Sequence, residues 1–339
     1  MARRQRSSLT DVAHAAGVSI ATVSRAMSQP EMLRADTLER VRAAAARLGY
    51  RPDHVARTLA SGKSHTVGVV IPTLNSPIFA DTLQEMQRSL DAAGYQLLVA
   101  SHEYDPAGEF AAVDKLLAHG IDGLVLVGGS RPEATWKLVE SAGVPVVQMW
   151  CGRSDHACVG VDNHAAGELV ARHLLALGHR RIAVITGRLR HNDRQRARLE
   201  GIRAALSEAG VALPAAYLTE QALSVPGGRV GCSILLELAD RPTALIGTVD
   251  VIAIGAIAEC HARGIAVPEE MSIAGIDNIE LAAHVSPSLS SVEIPATRIG
   301  SETVERVLAL IADMTKAGHV MLPIELVERH STGRPGETR

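Results

Sequence analysis

Between Thr66 and Asp277, short runs of β-branched and aliphatic residues alternate with longer stretches of helical periodicity. The first series of runs is TVGVVIP, YQLLVAS, DGLVLVG and VPVVQM, and a second series begins at CVGVD. Continuous apolar runs are typical of strands buried on both faces of a parallel sheet. Their alternation with helices predicts right-handed β–α–β units, and two series predict a two-lobed α/β body. Because ligands of open parallel sheets bind beyond the carboxyl ends of the strands, we expect a cleft between the lobes.

The N-terminal part of the chain has a purely helical pattern. The stretch SLTDVAHAAGVSIATVSR predicts two short helices joined by a tight turn, with Ser8 capping the first, Gly17 ending it and Ser19 capping the second. A third amphipathic helix is predicted from Thr37 to Leu48. This helix–turn–helix pattern favours insertion of the second helix into the DNA major groove. The alternative is a helical hairpin that packs on another surface, because such matches also arise by chance.

Charge separates the helical segment from the α/β segment. Residues 1–63 contain eleven Lys and Arg against five Asp and Glu, a net charge of +6, whereas the whole chain carries −3. The remaining residues therefore carry −9. A basic head on an acidic body places phosphate-binding charge at one end of the chain, which favours the DNA-binding interpretation.

Several other classes of protein lack support in the sequence. No GxGxxG follows the first strand, no GxxxxGKS/T or GxSxG motif occurs, and the His and Cys residues show no metal-binding spacing. We therefore expect no enzyme activity, no cofactor and no metal. Neither a membrane-spanning run of about 18 apolar residues nor a secretory signal is present. These features predict a cytoplasmic protein whose four cysteines are reduced, namely Cys151, Cys158, Cys232 and Cys260.

Many segments occur in the order and at the spacing of one known family. They include TDVAHAAGVSIATVSRAMS, LGYRPDHVARTLASGKS, VGVDNHAAG, HLLALGHRRIAVITG and VPEEMSIAGIDNIELA. Through them the chain resembles the lactose-repressor (LacI-type) family of bacterial transcription regulators, and its SHEYDP and QMW segments resemble the gluconate-repressor branch. The resemblance implies an all-α helix–turn–helix DNA-binding head plus a hinge helix, followed by a two-lobed α/β periplasmic-binding-protein-like body with parallel sheets. It also implies a homodimer or tetramer on palindromic operator DNA, and we expect a dimer because the tail after Val327 has no heptad repeat.

The resemblance also implies domain boundaries. The helix–turn–helix domain is expected at 1–50, and the hinge helix and linker at 51–64. The effector-binding and dimerisation domain is expected at 65–339. Within it we expect lobe 1 at about 65–157 and 292–321, and lobe 2 at about 158–291 and 322–335.

Carried over position by position, the resemblance implies contacts with operator DNA. In the second helix, Ile20, Ala21 and Arg25 are expected to face base edges, and Arg25 to pair with guanine. The alternative for Arg25 is a phosphate contact. In the hinge helix, Leu59 is expected to wedge a base step in the minor groove, while the small Ala56 allows two hinges to pack closely. The predicted DNA-binding residues are Ser8, Ser19, Ile20, Ala21, Thr22, Ser24, Arg25, His54, Ala56 and Leu59.

The family's effector-contact positions can be marked in the same way. They fall on Asn75, Phe79, His102, Tyr104, Trp150, Arg198, Asp250 and Asp277. In two places the chain departs from the family: after VPVV, where an acidic residue is common, it runs QMWCG with Trp150 near the lobe junction, and Val249 replaces the usual Asn before Asp250. Trp150 is expected to stack on an apolar sugar face, with packing near the hinge as the alternative. Val249 removes one polar partner for ligand hydroxyls.

Five arginines crowd the segment after the strand RIAVITG. They are Arg188, Arg190, Arg194, Arg196 and Arg198. Arginines near a strand end suit a carboxylate or phosphate, so one or two of them in the cleft would favour an anionic effector, while the others are expected to face solvent. The sequence thus predicts a repressor of a sugar or sugar-acid operon that responds to gluconate or its phosphorylated form. The alternatives are a neutral sugar or nucleobase effector, and a solute-binding protein with the same body fold.

Overall fold

The computed structural model describes residues 7–28, 30–50, 63–151, 156–315 and 318–336. They divide into a head that ends at Ser64 and a body that begins at His65. The predicted hinge-helix residues His54, Ala56 and Leu59 lie outside the described residues. No helix in the described ranges is long and apolar enough to cross a membrane. The same ranges contain no group of three His, Cys, Asp or Glu side chains that could hold a metal ion.

The head is built from three helices around a small apolar core. They are α1 (Leu9–Ala16), α2 (Ile20–Ser28) and α3 (Ala35–Leu48), with a short 3-10 helix at Pro30–Met32. Val12, Val23 and Val41, one from each helix, are fully buried together. Gly17 ends α1 with a φ of 62°, a left-handed conformation that favours glycine. The predicted helix–turn–helix is therefore present, and α3 begins slightly before the predicted Thr37.

The first lobe of the body is a six-stranded parallel sheet flanked by helices. In spatial order its strands are β2 (Gln96–Ser101), β1 (Thr66–Ile71), β3 (Gly123–Val127), β4 (Val146–Met149), β5 (Ala157–Gly160) and β11 (His319–Met321). Its helices are α4 (Pro77–Ala92), α5 (Pro106–Ala118), α6 (Glu133–Ala142) and α12 (Ala296–Ala312). The central strands β1 and β3 are buried along their whole length, which explains their continuous apolar sequences.

The second lobe repeats this topology. In spatial order its strands are β7 (Leu218–Glu220), β6 (Ile182–Thr186), β8 (Ala244–Gly247), β9 (Ser272–Asp277), β10 (Ser290–Glu293) and β12 (Glu325–Val327). Its helices are α7 (Asn163–Ala176), α8 (Asp193–Glu208), α9 (Val225–Leu236), α10 (Asp250–Ala262) and α11 (Glu280–His284), with a 3-10 helix at Ala215–Tyr217. All strands are parallel except β12, which runs antiparallel to β10.

The chain crosses between the lobes after β5, after β10 and after β11. The first crossing differs from the sequence-based boundary, which placed residue 158 and the run CVGVD at the start of lobe 2. Instead β5 pairs with β4 and β11 in the sheet of lobe 1. The chain therefore leaves lobe 1 only after Gly160. The sequence of a buried strand specifies that it is buried but not which strand lies beside it, so the boundary could not be fixed by pattern.

The cysteines lie in two pairs. Cys151 and Cys158 are joined by a disulfide, so the expectation that all four cysteines are reduced is wrong for this pair. Cys151 lies two residues after the end of β4 and Cys158 lies in β5, and the pairing of these strands brings the two residues together. Cys232 and Cys260 are free, buried thiols on α9 and α10 with sulfurs 3.8 Å apart.

Candidate functional site

The second helix of the head presents a polar and partly exposed outer face. Val23 is fully buried in the head core, whereas Ile20 is 49% exposed. The Oγ of Ser19 accepts a hydrogen bond from the backbone N–H of Thr22 at 3.1 Å and so caps the helix. The other predicted DNA-contact residues of α2 are also accessible, namely Ala21, Ser24 and Arg25, with Thr22 half-buried. The local fold therefore leaves the predicted recognition face open to a ligand.

Ser8 takes part in a reciprocal cap at the start of α1. Its Oγ accepts from the backbone N–H of Asp11 at 3.3 Å, and the carboxylate of Asp11 accepts from the backbone N–H of Ser8 at 2.8 Å. These bonds lower the pKa of Asp11, which keeps a negative charge at the helix N-terminus. The position of Ser8 thus has a structural explanation, and a DNA contact by its hydroxyl stays a prediction.

A cavity lies between the two lobes of the body. Every segment that lines it lies at or beyond the end of a strand, namely β1, β2 and β4 in lobe 1 and β6, β7, β8 and β9 in lobe 2. The lining residues are Thr73, Ser76, Pro77, Ile78, Phe79, Tyr104, Trp150, Asn192, Arg194, Gln195, Arg198, Leu223, Val249, Val251, Asp277 and Ile279. The cavity lies at the carboxyl ends of both sheets, where open parallel sheets bind ligands. The predicted position of the cleft is therefore confirmed.

Arg198 is fixed in the wall of this cavity by three acceptors. Its Nε donates to Asn163 Oδ1 at 3.0 Å, and its Nη1 donates to the Thr248 carbonyl at 2.7 Å and to the Asp277 carboxylate at 2.9 Å. Only 3% of the Arg198 side chain and 6% of the Asp277 side chain are exposed. Burial raises the pKa of Asp277 to about 6, although the charge of Arg198 acts against the shift. The structure therefore presents a buried guanidinium that three acceptors hold in one orientation.

Asp250 does not face the cavity as the sequence comparison implied. It is fully buried, its Oδ1 accepts from the Ser291 hydroxyl, and its Oδ2 accepts from the backbone N–H of Ile279 at 2.8 Å. Burial, together with the nearby charge of Asp277, raises the pKa of Asp250 to about 7. Its neighbours Val249 and Val251 line the cavity instead. Asp250 therefore supports the segment that follows β9. The prediction was wrong because the direction of a side chain at the start of a helix depends on tertiary packing, which the sequence motif does not specify.

The remaining predicted effector residues separate into three groups. Phe79 and Tyr104 line the cavity with Trp150, and burial raises the pKa of the Tyr104 hydroxyl. His102 lies in a smaller adjoining cavity that also contacts Tyr104, and burial lowers the pKa of its imidazole. Asn75 is exposed and is absent from the described lining of both cavities. The structure thus brings five of the eight predicted residues to the main cavity.

Trp150 both packs and lines the cavity. Its ring lies edge-on to Phe79, with centroids 5.4 Å apart, and the residue is 1% exposed. Its backbone has a φ of 63°, which is unusual for a bulky residue. The indole Nε1 has no hydrogen-bond partner within the described part of the chain. The residue thus has both a packing contact with Phe79 and a place in the cavity wall.

Two members of the arginine cluster reach the cavity, as predicted. Arg194 and Arg198 line it, whereas Arg188 and Arg190 are exposed. Arg196 donates to the Leu189 carbonyl at 2.7 Å and stays on the lobe surface. The two arginines that line the cavity therefore lie on α8, one helical turn apart.

Several lining residues were missed by sequence reasoning. They are Thr73, Asn192, Gln195, Leu223, Val251 and Ile279, whereas Ser76, Pro77 and Ile78 lie between the predicted Asn75 and Phe79. Each follows a strand end, which was the available signal, but none belongs to a recognisable chemical motif. For example, Asn192 is identifiable from sequence only as a helix cap, and its Oδ1 does accept from the Gln195 backbone N–H.

A helical head with an exposed second helix, joined to a two-lobed body around a cavity, defines the class of ligand-sensing DNA-binding regulators. Comparisons with known proteins agree. The family of bacterial regulatory proteins, lacI family, matches residues 8–53, and the periplasmic binding protein-like domain matches residues 171–332. The HTH-type transcriptional regulator GntR of Pseudomonas aeruginosa is 35% identical over 331 residues, 96% of each chain. Its namesake from Escherichia coli is 33% identical over 314 residues, 91% of this chain and 93% of that relative.

A solved structure extends the similarity to the whole fold. The crystal structure of the lac repressor dimer bound to operator and the anti-inducer ONPF matches with a TM-score of 0.87 and 29% identity, covering 97% of this chain and 100% of that chain. The chain belongs to the lacI family of bacterial regulatory proteins and is a DNA-binding transcriptional regulator. The family and fold class predicted from sequence are thereby confirmed, and the relatives are named as regulators of transcription rather than as enzymes.

Proposed function

We propose that this regulator is a repressor of a sugar-acid catabolic operon and that a gluconate-like acid, bound between the lobes, changes its affinity for a palindromic operator. The observation that carries the proposal is that Arg194 and Arg198 line the same cavity as Phe79 and Trp150. Guanidinium groups suit a carboxylate, and aromatic side chains suit the C–H face of a sugar chain. A sugar acid has both a carboxylate for the arginines and a C–H face for the aromatic side chains.

Control of DNA binding follows from the position of the cavity between two lobes. Because residues of both lobes line it, a ligand can bind one lobe arrangement more tightly than another and shift the equilibrium between them. The segment between head and body, which contains Leu59, would transmit the change to the operator. Coupling of this kind typically amounts to about 1–3 kcal/mol.

We further propose that the protein works as a homodimer in the cytoplasm, where operator DNA is found. The body exposes large apolar side chains on both lobes: Val99 and Phe110 on lobe 1, and Val230, Ile234 and Leu281 on lobe 2. Val230 and Ile234 are one turn apart on α9 and so share a face. The solved lac repressor is a dimer on its operator, and two-fold symmetry of a dimer matches a palindromic site.

A neutral sugar or a nucleobase is the second candidate effector. The observation in its favour is that four aliphatic side chains, Leu223, Val249, Val251 and Ile279, complete the cavity wall. A flat, uncharged ring would bury against these residues and against Trp150 without requiring a carboxylate partner.

The test is fluorescence anisotropy of a labelled palindromic duplex with a central CG step, titrated with full-length protein at fixed salt. Gluconate, 6-phosphogluconate, glucose and guanine are added separately, and a scrambled duplex is the control. We expect tight binding to the palindrome and a change in affinity with gluconate. Tight binding that ignores both acids but responds to glucose or guanine would retain the regulator and replace the acidic effector by the second candidate.

A further inference from the structure

Next to the main cavity lies a smaller, strongly polar one. Its wall combines Pro72, His102, Tyr104, Glu109 and Ser130 of lobe 1 with His191, Asp193 and Arg194 of lobe 2. Tyr104 and Arg194 line both cavities, and the charge of Arg194 counteracts the effect of burial, which raises the pKa of the Tyr104 hydroxyl. Arg194 therefore stands at the junction of the two cavities and of the two lobes.

Asp193, the first residue of α8, makes a direct bond from lobe 2 to lobe 1. Its Oδ2 accepts a hydrogen bond from the backbone N–H of Gly129 at 2.6 Å. Its Oδ1 accepts from the guanidinium of Arg194 at 3.1 Å. One carboxylate thus joins the lobes and holds the arginine that lines the ligand cavity.

The partner loop in lobe 1 is shaped to receive this carboxylate. Gly128 has a φ of +74°, and a Cβ at this position would overlap both the Arg194 guanidinium and the Asp193 carboxylate. The close approach of the lobes therefore depends on the missing side chain.

The same loop is fixed from behind by a buried ion pair. Arg131 Nη2 donates to the Val127 carbonyl at 3.2 Å and to the Gly128 carbonyl at 2.9 Å. Its Nε donates to the Glu109 carboxylate at 3.2 Å, and the Arg131 side chain is fully buried. A loop held in this way offers the Gly129 N–H in a fixed direction, so the bond to Asp193 requires one particular approach of the lobes.

We propose that Asp193 is a positioning residue of the effector site, which latches the two lobes through Gly129 and thereby holds Arg194 against the ligand. The latch is defined as Asp193, Arg194, Gly128 and Gly129. Opening the lobes breaks the bond to Gly129 and withdraws Arg194 from the cavity at the same time. Effector binding and lobe closure are then linked through one side chain.

The electrostatic setting supports a permanently charged latch. Burial by itself would raise the pKa of Asp193, but the charge of Arg194 and the backbone donors Gly129 and Arg194 outweigh it and hold the pKa below its ordinary value. The charges that face the carboxylate are Arg194 from its own helix and Arg131 from lobe 1. The carboxylate therefore stays ionised at neutral pH, as a strong acceptor must.

The experiment measures residue-resolved amide hydrogen exchange in the full-length protein without ligand. Gly129 reports on the latch, and Gly128 is the internal control because its N–H bonds to the Met149 carbonyl within lobe 1. In Asp193→Ala the Gly129 amide should exchange about tenfold faster, since a hydrogen bond to a charged acceptor contributes at least that factor. In Asp193→Asn the retained side-chain oxygen should restore exchange to within about threefold of wild type. Glu200→Ala, which removes an exposed carboxylate from the same helix, should change nothing.

A second arm tests the link to the ligand and rests on the proposed function. Gluconate affinity, measured by calorimetry, should fall about tenfold in Asp193→Ala, because Arg194 loses its anchor. Gly128→Ala opens the latch from the other lobe and should reproduce both effects if Asp193→Ala proves too unstable to study. Wild-type exchange at Gly129 in both variants would overturn the latch. Fast exchange at Gly129 in the variants, together with no gluconate binding by the wild-type protein, would retain the latch and reject only the proposed effector.

Discussion

At the scale of single residues, Trp150 carries two energetic costs at one position. A left-handed backbone is unfavourable for a bulky side chain, and such strain collects at functional sites. A buried donor without an acceptor costs about 1–3 kcal/mol, and the Trp150 Nε1 is such a donor within the described residues. A ligand that accepts a hydrogen bond there would offset part of this cost.

Replacing Trp150 by Phe should therefore weaken the effector more than it weakens the fold. Phe keeps an aromatic ring against Phe79. The smaller ring buries less apolar area, but the substitution also removes an unpaired buried donor, so the free energy of unfolding should change by only about 1 kcal/mol. Gluconate affinity should fall about tenfold through loss of the donor. Calorimetry and denaturant unfolding measure the two effects. Trp136→Phe is the matched control, because Trp136 stacks on His156 outside the cavity; equal gluconate affinity in all three proteins would contradict the assignment.

Besides the ligand contact proposed for it, Arg198 has structural contacts that its sequence position alone did not show. Removing it in Arg198→Ala leaves Asp277 buried without its ion-pair partner, which should cost about 3–5 kcal/mol of stability. The response to gluconate should disappear while operator affinity without ligand is kept. Anisotropy with and without gluconate checks this at a temperature where the variant is folded, with Arg196→Ala as the control arginine on the same helix. A normal gluconate response in Arg198→Ala would mean that the ligand binds elsewhere.

At the scale of elements, α2 separates packing from recognition. Its inward side chain Val23 holds the helix in the head core, and its outward side chains are accessible. Packing and the proposed DNA contact can therefore be changed by separate mutations in α2. In the body, by contrast, cavity residues such as Arg198 also take part in packing.

Arg25→Ala should accordingly reduce operator affinity without destabilising the head. If Arg25 pairs with guanine, the loss should be about 1–3 kcal/mol and should be confined to operators that carry that base pair. Anisotropy on a set of single-base operator variants measures the discrimination, and Arg42→Ala, an exposed arginine on α3, is the control. A uniform loss on every duplex, with a shallower salt dependence, would instead indicate the phosphate contact.

The apolar surface of α9 makes a prediction about assembly. Ile234→Glu should introduce a charge into the proposed dimer interface and convert the protein to a monomer with weaker operator binding, because two recognition helices no longer act together. Sedimentation velocity measures the assembly. Met314→Glu is the control, since Met314 is similarly exposed on a different element; an unchanged sedimentation coefficient in Ile234→Glu would exclude this face.

At the scale of the whole molecule, buried titratable groups act on stability in opposite directions. Asp250 and Asp277 have folded pKa values of about 7 and about 6, above the ordinary value of 3.8, so the folded state keeps protons that the unfolded chain releases. Their contribution therefore favours folding at low pH and is lost as the pH rises from about 4 to about 7. Burial lowers the pKa of His173 and of His179, so the folded state keeps both rings neutral where the unfolded chain would bind protons. The contribution of these histidines to the stability of the fold is therefore present above pH 6.5 and is lost as the pH falls below it.

The carboxyl contribution can be isolated with Asp250→Asn. The variant cannot ionise at this position, so the free energy of unfolding of wild type relative to the variant should fall steadily between pH 5 and pH 7. Denaturant unfolding at several pH values measures this difference, and the histidine contribution cancels because both proteins share it. A difference that stays constant over this range would show that Asp250 is ionised throughout.

The elements of the molecule were predictable because their causes are local. The cap by Ser8, the end of α1 at Gly17 and the burial of β1 are readable from residues that are close in sequence. The repeated order of strands and helices was then enough to predict two lobes and a cavity at the strand ends. Arg194 and Arg198 could be named in advance because they follow a predicted strand, whereas Phe79, Tyr104 and Trp150 were named through the resemblance to the family.

The tertiary structure decided which partners these elements take. It placed β5 in lobe 1, turned Asp250 into the interior of lobe 2, paired Cys151 with Cys158 and set Asp193 against Gly129. In each case the contact joins residues whose proximity depends on how whole elements pack. Periodicity and capping are local patterns and do not specify that packing. The sequence by itself therefore determined the class of protein and the place of its cleft, whereas the direction of each side chain in the cleft and the bond between the lobes were determined by long-range packing.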